Sequence, residues 1–380
     1  MSNDQKHKNI ITELLNNIKR MKIIKKISTI TKYRTAAAIA LLLVICAGND
    51  KLLAGEPAKL FNSDEIINIE LRSDFTALEK DRTGEPQYHD GELKYYNSAG
   101  DTVTLNVGVM VRGNFRRDPS ICNFPPLMIN FKKKEVQGTL FDDQDKLKLV
   151  TPCDREEEVL KEYAVYRLYN EVTDYSFRVR LARISYFDTS TRTELFERYS
   201  FFLEDKDHVA ERNDHVAKDR FLTPFDLETE SFRRLAVFQF LVGNKDWYVS
   251  SRKNLVILQP DGFTAPPVAV PYDFDLAGLV DAAYSKPEGV PAGLLADKRV
   301  YRGICYTEDE LSETFDFFMK LRPRFEEIIS GQDFIPRGTK KDIIRYLDKS
   351  YGLIENEYLF SQMFGSSCQT RKDYNLAELK

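Results

Sequence analysis

Histidine is almost absent: four occur in 380 residues, and no C-x-x-C pair accompanies them, which argues against a zinc centre of imidazole and thiolate ligands. A G-x-G-x-x-G phosphate loop is also missing, and "GVMVRG" at 108–113 is no substitute for one. Internal repeats and low-complexity segments are absent, so neither a solenoid nor a polymer-like linker is indicated. The single long apolar run, Ala36 to Ala47, is too short for a comfortable membrane span. What remains is a chain with 42% hydrophobic and 30% charged residues, ample for one large domain or two lobes and unlike a disordered protein.

From Met21 the sequence couples a basic stretch without acids to that apolar run, the layout of a secretory signal. Residues 1–55 therefore read as a targeting segment, with the true start at Met21 and cleavage after Gly48 or Gly55; an uncleaved anchor is the alternative. That segment carries ten Lys or Arg against three Asp or Glu, which leaves 45 basic and 56 acidic side chains in the remainder, a net charge of −11. An acidic product lacks the cations that replace counterions on a phosphate backbone, so nucleic acid is set aside as a partner. Beyond Cys46 there are four cysteines, an even number that suits an oxidising compartment. Three pairings are open to them. Cys122 with Cys153, flanking a strand pair, and Cys305 with Cys368, fastening the tail, are preferred over buried free thiols.

Period-two patterns recur in "IINIELRSD", "ELKYYNS", "TVTLNVGVMVRG", "PPLMINFKK" and "DKLKLVTP", with turn signals at Gly84, Gly91, "SAGD" and Gly113. A helix follows in "DREEEVLKEYAVYRLYNEV", with acids in its first turn and Val159, Tyr163, Tyr166 and Tyr169 or Asn170 at helical spacing. Two more strands come next, "FRVRLARISYFDTS" and "ELFERYSFFLED". The character then turns helical. "TPFDLETESFRRLAVFQFLVGN" starts at Thr223-Pro224, shows an apolar face through Phe232, Leu235, Phe238 and Val242, and stops at Gly243-Asn244. A small hairpin of "KNLVIL" and "PVAVPYDFD" and two long amphipathic helices complete the chain. The fold expected is α+β, with a β-rich first lobe carrying one helix at 56–205 and a mostly helical second lobe at 206–380.

The hairpin holds the residues of chemical interest. Asn244, Asp246 and Asn254 surround a loop, and Asp273 and Asp275 follow in an apolar strand. Asn and Asp favour turns on conformational grounds alone, so Asn244 stands between turn duty and function. A carboxylate among Val270, Tyr272 and Phe274 needs a counter-charge, from an ion or an arginine. A loop Asp, a nearby Asn and an Asp on the next strand also meet the needs of phosphoryl transfer: one carboxylate to orient the attacking hydroxyl, and oxygen ligands for Mg²⁺. Asp246 would be the base, Asn254 and Asp273 the metal ligands, and Asp275 a further ligand or a support for the loop.

These blocks, "VRGNFRR" with "FPPLMINFKK", "KLKLVTPCDREEEVLKEYAVYRLYNEV", and above all "AVFQFLVGNKDW…KNLVIL…VPYDFD", resemble the CotH-type spore coat kinases and their secreted bacterial relatives, atypical members of the protein-kinase-like fold. The resemblance runs from about Val103 to Val280. It implies a two-lobed kinase-like fold, Asp246 as catalytic-loop aspartate, and Asn254, Asp273 and Asp275 as metal ligands. It further implies that Lys148 and Glu158 or Glu162 form the Lys–Glu pair steadying ATP phosphates, and that Arg112 and Arg116 reach phosphate from the "RGN" loop. Structural salt bridges are the other reading of these basic residues. The gap from Asp246 to Asn254 is eight residues, against five in ordinary protein kinases.

The expectation is thus an exported, extracytoplasmic monomer that binds ATP with Mg²⁺ or Mn²⁺ and phosphorylates serine or threonine of a protein substrate, with no membrane span beyond the signal segment. The rival is an inactive envelope or surface scaffold of the same fold. A hydrolase using Asp246 and Asp273 as an acid pair is a third reading.

Overall fold

Alternation of apolar and polar side chains commits the first half of the chain to strands, since each strand can then bury one face. The computed structural model describes residues 59–263, 265–285, 299–365 and 367–374, so the targeting segment at 1–55 lies outside the described residues. Seven strands, β1 (Ile67–Ser73), β2 (His89–Tyr96), β3 (Thr102–Val111), β4 (Leu127–Phe131), β5 (Lys146–Val150), β6 (Val179–Asp188) and β7 (Thr193–Leu203), close into a barrel in the order β1-β2-β3-β4-β5-β7-β6. All neighbours run antiparallel except β1 and β6, which pair in parallel from Ile67 opposite Ala182 to Ser73 opposite Asp188. Closure removes the exposed edges that an open sheet would present.

One buried cluster fills this barrel with Ile69, Leu71, Leu105, Val107, Ile129, Leu147 and their neighbours. Residues of the opposite parity on β6 and β7, among them Leu181, Phe201 and Leu203, belong to a second cluster. They pack there with helix α2 (Glu156–Asn170), which follows the short α1 (Phe75–Lys80) in chain order. Val159, Tyr163, Tyr166 and Tyr169 are all buried, as the helical spacing indicated, while Asn170 is half-buried and donates to Ser176 Oγ and the Phe177 carbonyl, each at 2.9 Å.

The same second cluster contains α4 (Thr229–Leu241), which follows α3 (Lys206–Glu211), and the helices α5 (Glu308–Ser330), α6 (Arg337–Ile354) and α7 (Glu357–Gly365). A three-stranded sheet of β10 (Val268–Pro271), β9 (Leu255–Pro260) and β8 (His215–Ala217) completes the fold. No helix among the described residues is long and apolar enough to cross a membrane.

Four expectations need correction. Gly91 is no turn: it lies within β2, where a Cβ would come within 2.7 Å of the Arg72 carbonyl oxygen, so glycine permits the close approach of β1. The Thr223-Pro224 start signal caps a short 3₁₀ turn, through Thr223 N donating to Asp226 at 2.7 Å, and α4 begins only at Thr229 under a Glu228 cap. The last amphipathic stretch is two helices, because Asn356 accepts from Leu359 N at 3.0 Å and starts α7. Asp273 and Asp275 lie beyond the end of β10 rather than inside a strand.

Cys122 pairs with Cys153 and Cys305 with Cys368, which suits an oxidising, extracytoplasmic environment. The second bridge spans 63 residues, and the chain-entropy account assigns such a loop about 4 kcal/mol. Replacing Cys305 and Cys368 together with serine should lower the unfolding free energy by up to that amount in urea titrations. A loss under about 1 kcal/mol would show that other contacts fasten the tail.

Candidate functional site

The site begins where α4 stops. Val242 closes the helix and Gly243 takes φ +69°, where a side chain would collide with the Tyr346 hydroxyl. The carbonyls of Val242 and Gly243 accept from Leu279 N and Gly278 N at 3.0 and 3.1 Å, so the helix end is tied to the segment that follows Asp275. Asn244 is buried and its Oδ1 accepts from Asp246 N at 2.9 Å, an Asx turn that aims the next residues.

The eight-residue gap between Asp246 and Asn254 is taken up locally. Tyr248 and Lys253 exchange two backbone hydrogen bonds, 3.1 and 2.9 Å, and close the intervening residues into a turn of their own. Asn254, at φ +54°, then donates its amide to the Asp246 carbonyl at 2.7 Å and to the Asp246 carboxylate at 3.0 Å. Lys253 Nζ pairs with the other carboxylate oxygen. The Asn254 carbonyl accepts from Tyr272 N at 3.1 Å, which leads the chain directly to Asp273.

Asp273 stands at φ +62°, and its N–H donates to the Tyr166 hydroxyl of α2 at 2.8 Å. Phe274 packs edge-on against the same tyrosine ring, 4.8 Å between centroids, so one side chain of α2 holds the turn by both polar and apolar contact. Asp275 is buried and accepts from the Tyr284 hydroxyl at 3.1 Å. Removing one atom tests this anchor. Tyr166→Phe leaves the Asp273 N–H unpaired and should cost about 1–3 kcal/mol of stability, read from thermal or chemical unfolding; an unchanged transition would mean that the turn stands without it.

The basic residues come from two places. Lys148, on β5, lies 4.6 Å from the Tyr272 ring centre. Arg116 belongs to the segment after β3, which is fixed by the Cys122–Cys153 bridge, by buried Arg82 donating to the Arg117 carbonyl at 2.9 Å, and by Arg116 itself donating to the Thr151 carbonyl. Of the glutamates proposed for Lys148, Glu162 faces Arg116 at 3.9 Å and Glu158 pairs with Arg155 at 2.6 Å while accepting from Ala283 N. Among the described residues neither glutamate meets Lys148 in an ion pair, so the expected Lys–Glu pair is replaced by Arg116–Glu162 and Lys148–Tyr272.

No protein-family model matches the chain, and no curated protein matches it either. Function has to be argued from the geometry.

Charge crowds this region. Burial, reinforced by Asp273, pushes the Asp275 carboxyl up to about 7 against the pull of Arg116 and the Tyr284 hydroxyl. Burial, with Asp275 and Asp273, likewise raises Glu162, and Arg116 and Arg112 oppose it. Burial and the Arg112 charge lower Lys148 to about 8, partly offset by Asp273. Glu162 Oε1 and Arg116 Nε are buried with no hydrogen-bond partner. Asp246, Asn254, Asp273 and Asp275 thus fall in one contiguous stretch of contacts, with Glu162, Arg116, Arg112 and Lys148 in the same electrostatic neighbourhood.

The side-chain oxygens of Asn254, Asp273 and Asp275 are of the class that a hard divalent cation takes. Asn254 uses its amide nitrogen on Asp246, which leaves its oxygen for another partner. No three His, Cys, Asp or Glu side chains among the described residues form a metal cluster by themselves. Ligand phosphates and water would have to complete the shell, as is common for Mg²⁺.

Sequence reasoning treated Tyr166 only as core, named Tyr272 only as an apolar neighbour of Asp273, and passed over Tyr284 and Lys253. Lys253 and Tyr272 each adjoin a residue already singled out, a signal of position only. Tyr284 lies nine residues past Asp275, and no local pattern connects the two.

Proposed function

We propose that the protein is an exported phosphotransferase of two-lobed, protein-kinase-like arrangement, related to the CotH-type kinases, that uses ATP with Mg²⁺ or Mn²⁺ to phosphorylate serine or threonine of a protein substrate. The observation that carries this reading is Asn254, whose side-chain amide bonds both the main chain and the carboxylate of Asp246 and whose main-chain carbonyl accepts from Tyr272 N, next to Asp273.

A divalent cation, when bound, would offset negative charge on the phosphates and the transferred group. Asn254, Asp273 and Asp275 would hold it. Asp246 orients the acceptor hydroxyl and takes its proton, with Lys253 and Asn254 fixing the carboxylate. Lys148, Arg112 and Arg116 supply positive charge for phosphate, and Tyr166 keeps the Asp273 turn on α2.

The decisive assay is transfer of the ATP γ-phosphate to protein with Mg²⁺ or Mn²⁺, beside Asp246→Ala and Asp273→Ala. Transfer that survives both substitutions contradicts the assignment. One observation favours the scaffold reading instead: Asp246 is already satisfied by Lys253 and Asn254. That reading predicts neither transfer nor any nucleotide-dependent gain in stability.

A further inference from the structure

The two disulfides differ in their surroundings. Cys122 and Cys153 are buried. Cys305 is exposed and Cys368 half-buried, and both half-cystines border a cavity of about 200 Å³ together with Tyr301, Tyr306 and Phe364. Exchange requires a thiolate to reach a disulfide sulfur from outside, so exposed bridges are the labile ones.

The segment that this second bridge holds has little else to hold it. None of the described residues 367–374 is buried. Gln369 donates its N–H to the Gly303 carbonyl at 2.9 Å, and its carbonyl accepts from Cys305 N at 3.0 Å. Farther along, the Arg371 guanidinium lies 4.8 Å from the Phe225 ring centre, and Tyr374 meets the same ring at 6.0 Å. Elements with few buried contacts and exposed hydrogen bonds are the first to open. The same segment also touches the candidate site. Gln369 and Tyr374 border a cavity of about 280 Å³ whose lining includes Trp247, Tyr248 and Ser251, all from the turn between Asp246 and Asn254.

We propose that Cys305–Cys368 is a redox switch: a dithiol opens it, residues 367–374 come away, and the turn between Asp246 and Asn254 loses one of its walls. One thiolate of the dithiol attacks the Cys305 sulfur, the S–S bond breaks, and Cys368 leaves as a thiolate. The second thiolate of the dithiol then attacks the mixed disulfide and releases Cys305. Two electrons have passed, the dithiol ends as a disulfide, and its two protons end on Cys305 and Cys368. The consequence for phosphoryl transfer rests on the phosphotransferase reading; the exchange and the loosening of the turn do not.

Trp247 is the only tryptophan in the chain, so its emission reports the turn directly. The full chain, under native conditions and without nucleotide or metal, is equilibrated with dithiothreitol at increasing ratios of dithiol to its disulfide. Free thiols are then alkylated and assigned to each cysteine by mass spectrometry. Cys305 and Cys368 should open together at a ratio roughly tenfold or more below that needed for Cys122 and Cys153, and the emission of Trp247 should change in step and return on reoxidation. Opening of both bridges at one ratio, or of Cys122–Cys153 first, overturns the proposal, as does selective opening with unchanged emission, and none of these outcomes needs a variant to fold. Transfer from ATP with Mg²⁺ is then measured in the oxidised and the selectively reduced protein, where the rate should fall on reduction and recover on reoxidation. Selective opening with the emission change but no transfer in either state upholds the switch and counts against the phosphotransferase. Transfer at the same rate in both states upholds the phosphotransferase and removes the switch.

Discussion

Replacing Asp246 with alanine should lower phosphoryl transfer by a factor of about 10²–10⁴, the usual contribution of a positioned acid–base group, while the protein stays folded. The carboxylate's two contacts explain why stability changes little. Lys253 is half exposed, and surface ion pairs of this type contribute at most about 1 kcal/mol. Asn254 loses one hydrogen bond but keeps the other, because its shorter contact is to the main-chain carbonyl at 246. Initial rates and urea unfolding measured on the same preparation separate the two effects. A rate loss that merely tracks a loss of folded protein would move Asp246 from chemistry to structure.

The second large effect is one of sign. Asp275→Asn should stabilise the ligand-free protein near pH 8, although it removes a residue of the site. Native Asp275 holds its proton up to about 7, whereas the unfolded chain releases it near 3.8. Between these values the native state binds more protons than the unfolded one, so stability falls as pH rises through that window. Glu162, raised by burial and by the same two aspartates, acts in the same direction. Lys148 works in another window with the opposite sign: lowered to about 8, it has lost a proton that the unfolded chain keeps to about 10.5, so stability rises with pH there. The ceiling on this effect at Asp275 is about 4 kcal/mol. Unfolding free energies from pH 4 to 8 should fall less steeply in Asp275→Asn than in the unaltered protein. Parallel curves would mean that Asp275 carries no such penalty.

The parts of the fold that were legible in the sequence are those with a local cause. Period-two alternation places the seven barrel strands, and the Phe232, Leu235, Phe238, Val242 spacing gives α4 with its buried face. Closure was not legible, because the parallel pairing of β1 with β6 joins segments more than a hundred residues apart and leaves no mark on either. Short elements escaped for a related reason: α1, α3 and β8 are too brief for a period to register. At the site, the residue types and order of Asp246, Asn254, Asp273 and Asp275 were readable, and the structure bonds Asn254 to Asp246 and to Tyr272, the residue before Asp273. The pairing of the buried charges was not readable. Glu162 meets Arg116 rather than Lys148 because a disulfide and the buried Arg82 fix the segment after β3 close to α2, a tertiary arrangement with no local pattern behind it.

The central claim is that these residues hold a nucleotide through a divalent cation, and one measurement addresses it without depending on turnover or on the identity of a protein substrate. The unfolding free energy is compared with and without ATP and Mg²⁺, for the unaltered protein and for Asp273→Ala. At a ligand concentration a hundred times the dissociation constant, the account predicts a gain of about 2.7 kcal/mol that needs both ATP and the metal and disappears in the variant. No gain in the unaltered protein, or an equal gain in Asp273→Ala, would contradict it.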